Sequence, residues 1–308
     1  MSFTITLANV LLTLLYILPG YGLCKWKKVQ AKHLTSLSAL LVYLCSPCMT
    51  ASSFLNTAFS LENLMYMGLF FVITLLLQMA FMGMTYFLLC RKNKESKYRV
   101  FSIATVLGNV GFFGQPLLRA LLPNHPEALC YSIMFSLSMN ILAFSFGVFC
   151  LTGEKKYMSI KSALLNPTVF GLLVALPLYV MGASSFLPPA LLQSVDLLGR
   201  MTTPLCMLIL GIRLASVRLK PLFTRPLIYA LCISKMMIFP LFCYAVVLLL
   251  PLPTSFKATV LILSATPCAS MIQNLAELHQ SETELAANCV LVTTMLCFLT
   301  IPIMTLLL

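Results

Sequence analysis

The sequence predicts an all-α membrane protein of ten transmembrane helices, folded as two inverted five-helix repeats whose fourth and ninth helices are discontinuous. Three observations predict it. Of 308 residues, 60% are hydrophobic and 9% charged, and the mean hydropathy is +0.98, which leaves too little polar surface to cover a soluble domain. The apolar residues fall in ten continuous stretches separated by short polar loops. Each has about the 20 residues that a helix needs to cross a hydrocarbon core, and none alternates as the strands of a β-barrel would. Finally, the chain reads as if written twice. Leu18–Pro19, Pro47, Gln78, Arg99 and Gln115 recur 157 or 158 positions later as Leu176–Pro177, Pro204, Lys235, Lys257 and Gln273.

Five spans per half is an odd number, so the second half enters the membrane from the opposite side and the repeats are inverted. The halves are residues 1–151 and 162–308, and the loop between them, Thr152 to Lys161, is too short to hold a soluble domain. Two such halves in a hydrophobic chain point to a secondary transporter, with its substrate site where the halves meet at the bilayer midplane.

The first span, 3–24, has no basic residue before it and Lys25, Lys27, Lys28 and Lys32 after it. That pattern is expected of a retained span with an outside N-terminus, not of a cleaved signal peptide. The second span, 34–55, carries Cys45-x-x-Cys48 around Pro47. Lacking a second ligand pair, these thiols read as small packing groups, as do the other cysteines. The third span, 64–90, precedes the basic cluster Arg91, Lys92, Lys94 and Lys97. The fourth, 99–122, belongs with the ninth, below. The fifth, 127–151, holds Asn140 and has no acid between Glu127 and Glu154. The sixth is 162–182. The seventh, 188–212, carries Asp196 and Arg200 on one helix face, where a local ion pair is expected. Arg119 is expected to snorkel from the outer end of the fourth span. The eighth span, 226–250, contains Lys235. Counted from Arg225 at about 1.5 Å per residue, it lies about 15 Å deep, too far for full snorkelling. The ninth and tenth are 256–276 and 285–308.

Most of the 20 Lys and Arg, among them Lys155, Lys156, Arg218 and Lys220, sit in the odd-numbered loops. The positive-inside rule therefore places those loops in the cytoplasm and both termini outside, in a multi-pass protein of the cell membrane. The ninth loop carries Glu277, Glu282 and Glu284, which the rule tolerates because acids weigh little in it. The net charge of +12 records this topology. No basic loop has the length or interleaved aromatics of a nucleic-acid-binding arm, so the expected partners are the lipid bilayer and a small solute, not nucleic acid. His33, His125 and His279 lie in loops without a nucleophile or metal motif, so neither an enzyme, a metal nor a cofactor is expected.

The chemistry concentrates in the fourth and ninth spans. The fourth reads Thr105-Val-Leu-Gly108-Asn109-Val-Gly111-Phe-Phe-Gly114-Gln115-Pro116. Pro116 lacks an amide hydrogen and crowds the carbonyl of Phe112, and the glycines permit close approach, so the helix is expected to break here. The ninth reads Ser264-Ala-Thr266-Pro267-Cys-Ala269-Ser270-Met-Ile-Gln273-Asn274, with Pro267 at the corresponding depth. One such span alone is most simply a packing seam with a proline kink. Two in matching positions point to a binding site in which half-helix N-termini offer unpaired amides to an anion. The candidate substrate contacts are Asn109, Gly111, Gln115 and Pro116 from the fourth span, Pro267, Ser270, Gln273 and Asn274 from the ninth, and Lys235 from the eighth. Lys235 has alternative roles: neutralising the substrate, occupying a coupling-cation position, or capping broken-helix carbonyls.

The stretch Gly-Asn-x-Gly-Phe-x-Gly-x-Pro-Leu at 108–117 closely resembles the fourth span of the auxin efflux carrier family, which includes plant PIN-type carriers and bacterial malate permease-like proteins. Asn166-Pro167, Thr203-Pro204-Leu205 through Gly211, and the proline-centred ninth span resemble it too, so the likeness covers essentially the whole chain. The resemblance implies a fold like that of bile-acid symporters and sodium/proton antiporters. There the first, second, sixth and seventh spans form a scaffold and spans 3–5 and 8–10 a mobile domain with crossed fourth and ninth helices; a homodimer through the scaffold is an allowed assembly. It implies small organic anions as substrates. Asn109 and Pro116 match the fourth-span crossover and Pro267 the ninth, although Thr266-Pro267-Cys268 stands where the family commonly has a second proline. The long cytoplasmic loop of many plant members is missing.

A carrier of small organic anions working by alternating access is therefore expected. The embedded Lys235 and Arg200 face only Asp196, which favours an anion over a cation. The alternatives are a cation/proton antiporter on the same fold, which would need buried carboxylates that the fifth span lacks, and a ligand sensor using the same pocket without carriage.

Overall fold

A computed structural model describes residues 3–90, 95–165, 167–216 and 226–308. Arg91, Lys92, Lys94, Asn166, Arg218, Lys220 and Arg225, on which parts of the topology, depth and resemblance arguments rest, lie outside the described residues. In chain order the helices are α1 (Phe3–Lys25), α2 (Leu34–Leu55), α3 (Leu61–Cys90), α4 (Ser96–Ala104), α5 (Gln115–Leu121), α6 (Glu127–Thr152), α7 (Lys155–Val180), α8 (Pro189–Ser216), α9 (Pro226–Leu248), α10 (Thr254–Ser264), α11 (Met271–Leu278) and α12 (Thr283–Thr305). All except α4, α5, α10 and α11 are long and apolar enough to cross a membrane, eight helices in all among the described residues. The chain is a multi-pass integral membrane protein, because a bilayer offers the backbone no hydrogen-bond partner and only helices or closed barrels satisfy it internally.

Proline shapes these helices by widening them. Leu41–Cys45, Val110–Gly114 and Ser234–Ile238 are π-helical turns, and each ends two residues before a proline: Pro47, Pro116 and Pro240. In a regular helix a proline ring strikes the carbonyl four residues back. A turn with one extra residue moves that carbonyl aside, and the helix continues. At Pro116 the amide of Gln115 accordingly bonds the carbonyl of Val110, five residues earlier. The expected break at Pro116 is thus displaced: the π turn absorbs the proline, and the helix is interrupted upstream, between Ala104 and Val110. The ninth span breaks between Ser264 and Met271, around Pro267.

Packing follows the small residues. α1 lies along α8, α2 against α7 and the first half of α8, α3 against α6, α9 against α10, and both α1 and α11 against α12. The segments α4–α5 and α10–α11 run through the middle of this bundle. α10 is buried along nearly its whole length, at Ser255, Phe256 and Ala258 through Ser264.

Candidate functional site

The two breaks satisfy each other. Gly108 and Cys268 form an antiparallel bridge, in which the Asn109 amide donates to the Pro267 carbonyl at 2.7 Å and the Ala269 amide to the Leu107 carbonyl at 3.0 Å. The Cys268 amide is taken by Thr293 Oγ1 at 3.0 Å. In a low-dielectric interior each unmet backbone group would cost several kcal/mol, so the two interruptions are stable only as a pair. Gly108 is required for that approach. A Cβ there would stand 2.5 Å from Thr266 Oγ1 and 3.1 Å from Lys235 Nζ.

Beside the bridge lies a cavity of about 480 Å³. Gly111 and Phe112 from the start of one second half, and Ser270 and Met271 from the other, line it. Amides in the first turn of a helix have no intrahelical acceptor and carry the positive end of its dipole. Asn109, Ser136, Asn140 and Asn274 add amides and a hydroxyl, and Arg213 supplies the one charged side chain that the described residues bring to the wall. Asn140 is 4% exposed and its Oδ1 has no hydrogen-bond partner. Most of the rest of the wall is apolar, with Met49, Ile133, Met139, Phe144 and Ile209, and Ser38, Ser46 and Thr168 add further hydroxyls. A lining of this kind is complementary to a polar group, negative or neutral, joined to an apolar body. Among the described residues, no group of three or more His, Cys, Asp or Glu is placed to hold a metal ion.

The predicted site residues divide among several places. Asn109, Gly111, Ser270 and Asn274 meet in the cavity. Gln115 and Pro116 face a separate hollow of about 310 Å³, together with Asn9, Arg119, Arg200 and Thr203. Met49 lines both hollows and stands between them. Gln273 lies beside the cavity and accepts a hydrogen bond from Arg213 Nη1, while its own Nε2 donates to Glu277 at 2.8 Å. Pro267 is buried in the bridge. Lys235 is fully buried behind it, with Nζ donating to the Ser264 carbonyl at 2.8 Å. Arg213 and Asn140 are what sequence reasoning missed. Arg213 stands one residue beyond the seventh span, 188–212, where a cation reads as a loop charge, and Asn140 stands in the fifth span with no acid or proline near it to single it out.

Arg119 does not snorkel. Its guanidinium reaches across to Asp196 at 3.3 Å and to Ser52 Oγ at 3.5 Å, tying α5 to α8 and α2. Asp196 also accepts from Arg200 Nε, the expected i,i+4 pair, and from Ser52. A half-buried carboxylate with four donors in reach, Asn56 Nδ2 at 3.5 Å being the fourth, is a fixed partner for a cation, which is why Arg119 turns inward. A double-mutant cycle of Arg119→Ala and Asp196→Ala, read by thermal unfolding, is expected to give a coupling of about 1 kcal/mol, between the exposed and buried limits for ion pairs. Strictly additive effects would show that the contact does not join the helices.

Two comparisons with known proteins bear on this geometry. The family described as membrane transport protein matches the chain over residues 5–161 and 154–305. An uncharacterized transporter of Methanocaldococcus jannaschii is 24% identical over 304 residues, covering 96% of each chain.

Proposed function

Because the chain belongs to the membrane transport protein family, which is auxin efflux carrier-like, we propose that it carries a small organic anion across the membrane by alternating access. The observation that carries this reading is the cavity beside the paired breaks. Among the described residues, its wall holds one guanidinium, three side-chain amides and the amide ends of two half-helices, and no carboxylate. An anion gains from every one of these groups, and a metal cation from few of them. For the same reason cation/proton exchange is disfavoured: no acid in the wall is available to trade a proton for an ion.

In this reading α4 with α5, and α10 with α11, are the crossed fourth and ninth spans of a ten-span inverted repeat. Helices α1, α2, α7 and α8 are the scaffold against which the other eight move. The cavity wall includes Ser38, Phe144, Arg213 and Leu278, all towards the odd-numbered loops. With those loops in the cytoplasm, the structure is the inward-facing state, and the Arg119–Asp196 contact closes the outer side.

The test is counterflow of labelled carboxylates into liposomes that hold the purified protein. Saturable exchange of at least one carboxylate is the expected result. Saturable binding without exchange of any would mark a sensor instead. Arg213→Gln keeps a hydrogen-bonding amide but removes the charge. It is expected to lower carboxylate uptake about 10- to 100-fold at limiting substrate, since a charge-assisted hydrogen bond is worth about 1.5–3 kcal/mol. Unchanged uptake by this variant would take Arg213 out of the substrate path.

A further inference from the structure

We infer that the hollow beyond Met49 is a second anion site, which takes up a small carboxylate between the guanidiniums of Arg119 and Arg200; only its place on the outer side rests on the carrier reading above. The hollow has a volume of about 310 Å³ and is lined from α1, α5 and α8, a size within the range of small-molecule sites. Among the described residues, Arg119 and Arg200 are the charged side chains of its lining, and no acid stands with them. Asp196 lies outside the lining and holds each guanidinium by one edge, Arg119 through Nη1 at 3.3 Å and Arg200 through Nε at 2.5 Å. One carboxylate cannot neutralise two cations, so the cluster keeps a positive charge in excess. None of the described hydrogen bonds uses Nη1 or Nη2 of Arg200 or Nε of Arg119. Those N–H groups belong to the fork that pairs with a carboxylate.

A clamp between helices accounts for Arg119 and leaves Arg200 unexplained. Arg119 reaches from α5 to Asp196 on α8, whereas Arg200 stands on α8 itself, four residues from Asp196, and its side chain is 66% exposed. It joins no second helix. Counted from Pro189, the first residue of α8, it lies about 16 Å along the helix at about 1.5 Å per residue. A guanidinium kept that far into a span is costly and marks a solute path. The other polar groups agree. Gln115 gives both ends of its amide to Ser132 and Ser53 and serves as wall, while the hydroxyls of Tyr16 and Thr203 enter none of the described hydrogen bonds. Leu12, Leu117 and Pro204 offer apolar contact to the body of the ligand. In the carrier reading, the hollow is the station that the solute occupies on the outer side, with Met49 between it and the cavity.

Phenylglyoxal modifies accessible guanidiniums, and peptide mass spectrometry reads each arginine separately, so one experiment tells the two hollows apart. Arg200 reports the outer hollow and Arg213 the cavity. In the purified protein in neutral detergent, about 50 mM benzoate is expected to slow modification of Arg200 about threefold or more, the protection given by a ligand at twice its dissociation constant or above. Benzamide, which has the same shape without the charge, is expected to leave the rate unchanged in sodium chloride of equal ionic strength. No slowing at Arg200, or equal slowing by benzamide, would overturn the inference. Arg119→Gln removes one guanidinium, and protection of Arg200 in that variant is expected to need about tenfold more benzoate, the loss of one charge-assisted partner. An unchanged requirement would show that the two arginines do not form one site. Should the variant fail to fold, the wild-type result at Arg200 decides alone. In nanodiscs without benzoate, modification of Arg200 is expected to agree within about twofold between phosphatidylcholine and phosphatidylglycerol, since a lipid phosphate that filled the hollow would protect it by the same mass action. Protection by phosphatidylglycerol would give the hollow to a lipid headgroup and overturn the carboxylate assignment. If benzoate protects Arg213 and not Arg200, the cavity reading stands and this inference fails; protection of Arg200 without Arg213 does the reverse.

Discussion

Replacing Asn109 by alanine is expected to slow carboxylate counterflow by about 10- to 100-fold and to leave the protein folded. The backbone of Asn109 does the structural work at the break. Its amide donates to the Pro267 carbonyl, and its carbonyl accepts from the Phe113 and Gly114 amides at 3.2 and 3.1 Å. Alanine keeps all three bonds. The side chain does little for the fold, since its amide reaches only Cys206 Sγ, at 4.0 Å. It stands instead in the cavity wall, next to the Gly111 and Phe112 amides. A hydrogen bond to a charged group contributes about 1.5–3 kcal/mol, and each 1.4 kcal/mol is tenfold in rate, which sets the expected range. Asn109→Asp has nearly the same shape and opposes an anion, so its loss is expected to exceed that of alanine. Initial counterflow rates and melting temperatures of the two variants check this. If Asn109→Ala melts and transports like the wild type, the solute does not pass the bridge.

Much of this architecture was legible in the sequence, for reasons that differ from residue to residue. That the two matching apolar segments break could be read from Gly108, Pro116 and Pro267, because those residues are costly in a continuous helix and lie in segments that correspond between the two halves. Where the first one breaks could not. Pro116 is the stronger helix breaker in isolation, but a π turn relieves it, and the interruption falls at Gly108–Asn109, where close approach to Cys268 is demanded by the partner segment. Tertiary pairing chose between two local signals. The burial of Lys235 followed from its depth in the eighth span, but the side to which it turns depends on the Ser234–Ile238 turn, which no periodicity announces. Arg119 and Arg213 illustrate the opposite failure. Both lie near helix ends, where a cation costs little in water, so the sequence offered no reason to place them inward. Only the carboxylate of Asp196 and the amide of Gln273, brought close by the fold, supply one.

Gly211→Ala is expected to lower the apparent melting temperature by about 5–10 °C, whereas Gly83→Ala is expected to leave it unchanged or raise it slightly. Both glycines lie inside helices, and a helix interior prefers alanine to glycine by up to about 1 kcal/mol. Their surroundings decide the sign. A Cβ on Gly83 meets nothing within 4 Å, so α3 keeps the whole gain. A Cβ on Gly211 would fall 2.1 Å from the Ile17 carbonyl oxygen and 2.8 Å from the Tyr21 amide nitrogen, and one on Gly20, across the same seam, 2.2 Å from the Leu208 carbonyl. These are backbone atoms, so no side chain can rotate out of the way. α1 and α8 must move apart along their contact, at a cost towards the upper end of the about 1–3 kcal/mol typical of overpacking, or above it. The effect reaches the cavity as well. Arg213 follows Gly211 by two residues on α8, so displacing the helix also shifts the guanidinium that Gln273 holds beside the chamber. Melting both variants in detergent separates propensity from packing. A Gly211→Ala protein as stable as Gly83→Ala would show that α1 and α8 are not in backbone contact, and the wall that carries Arg213 would then not be fixed.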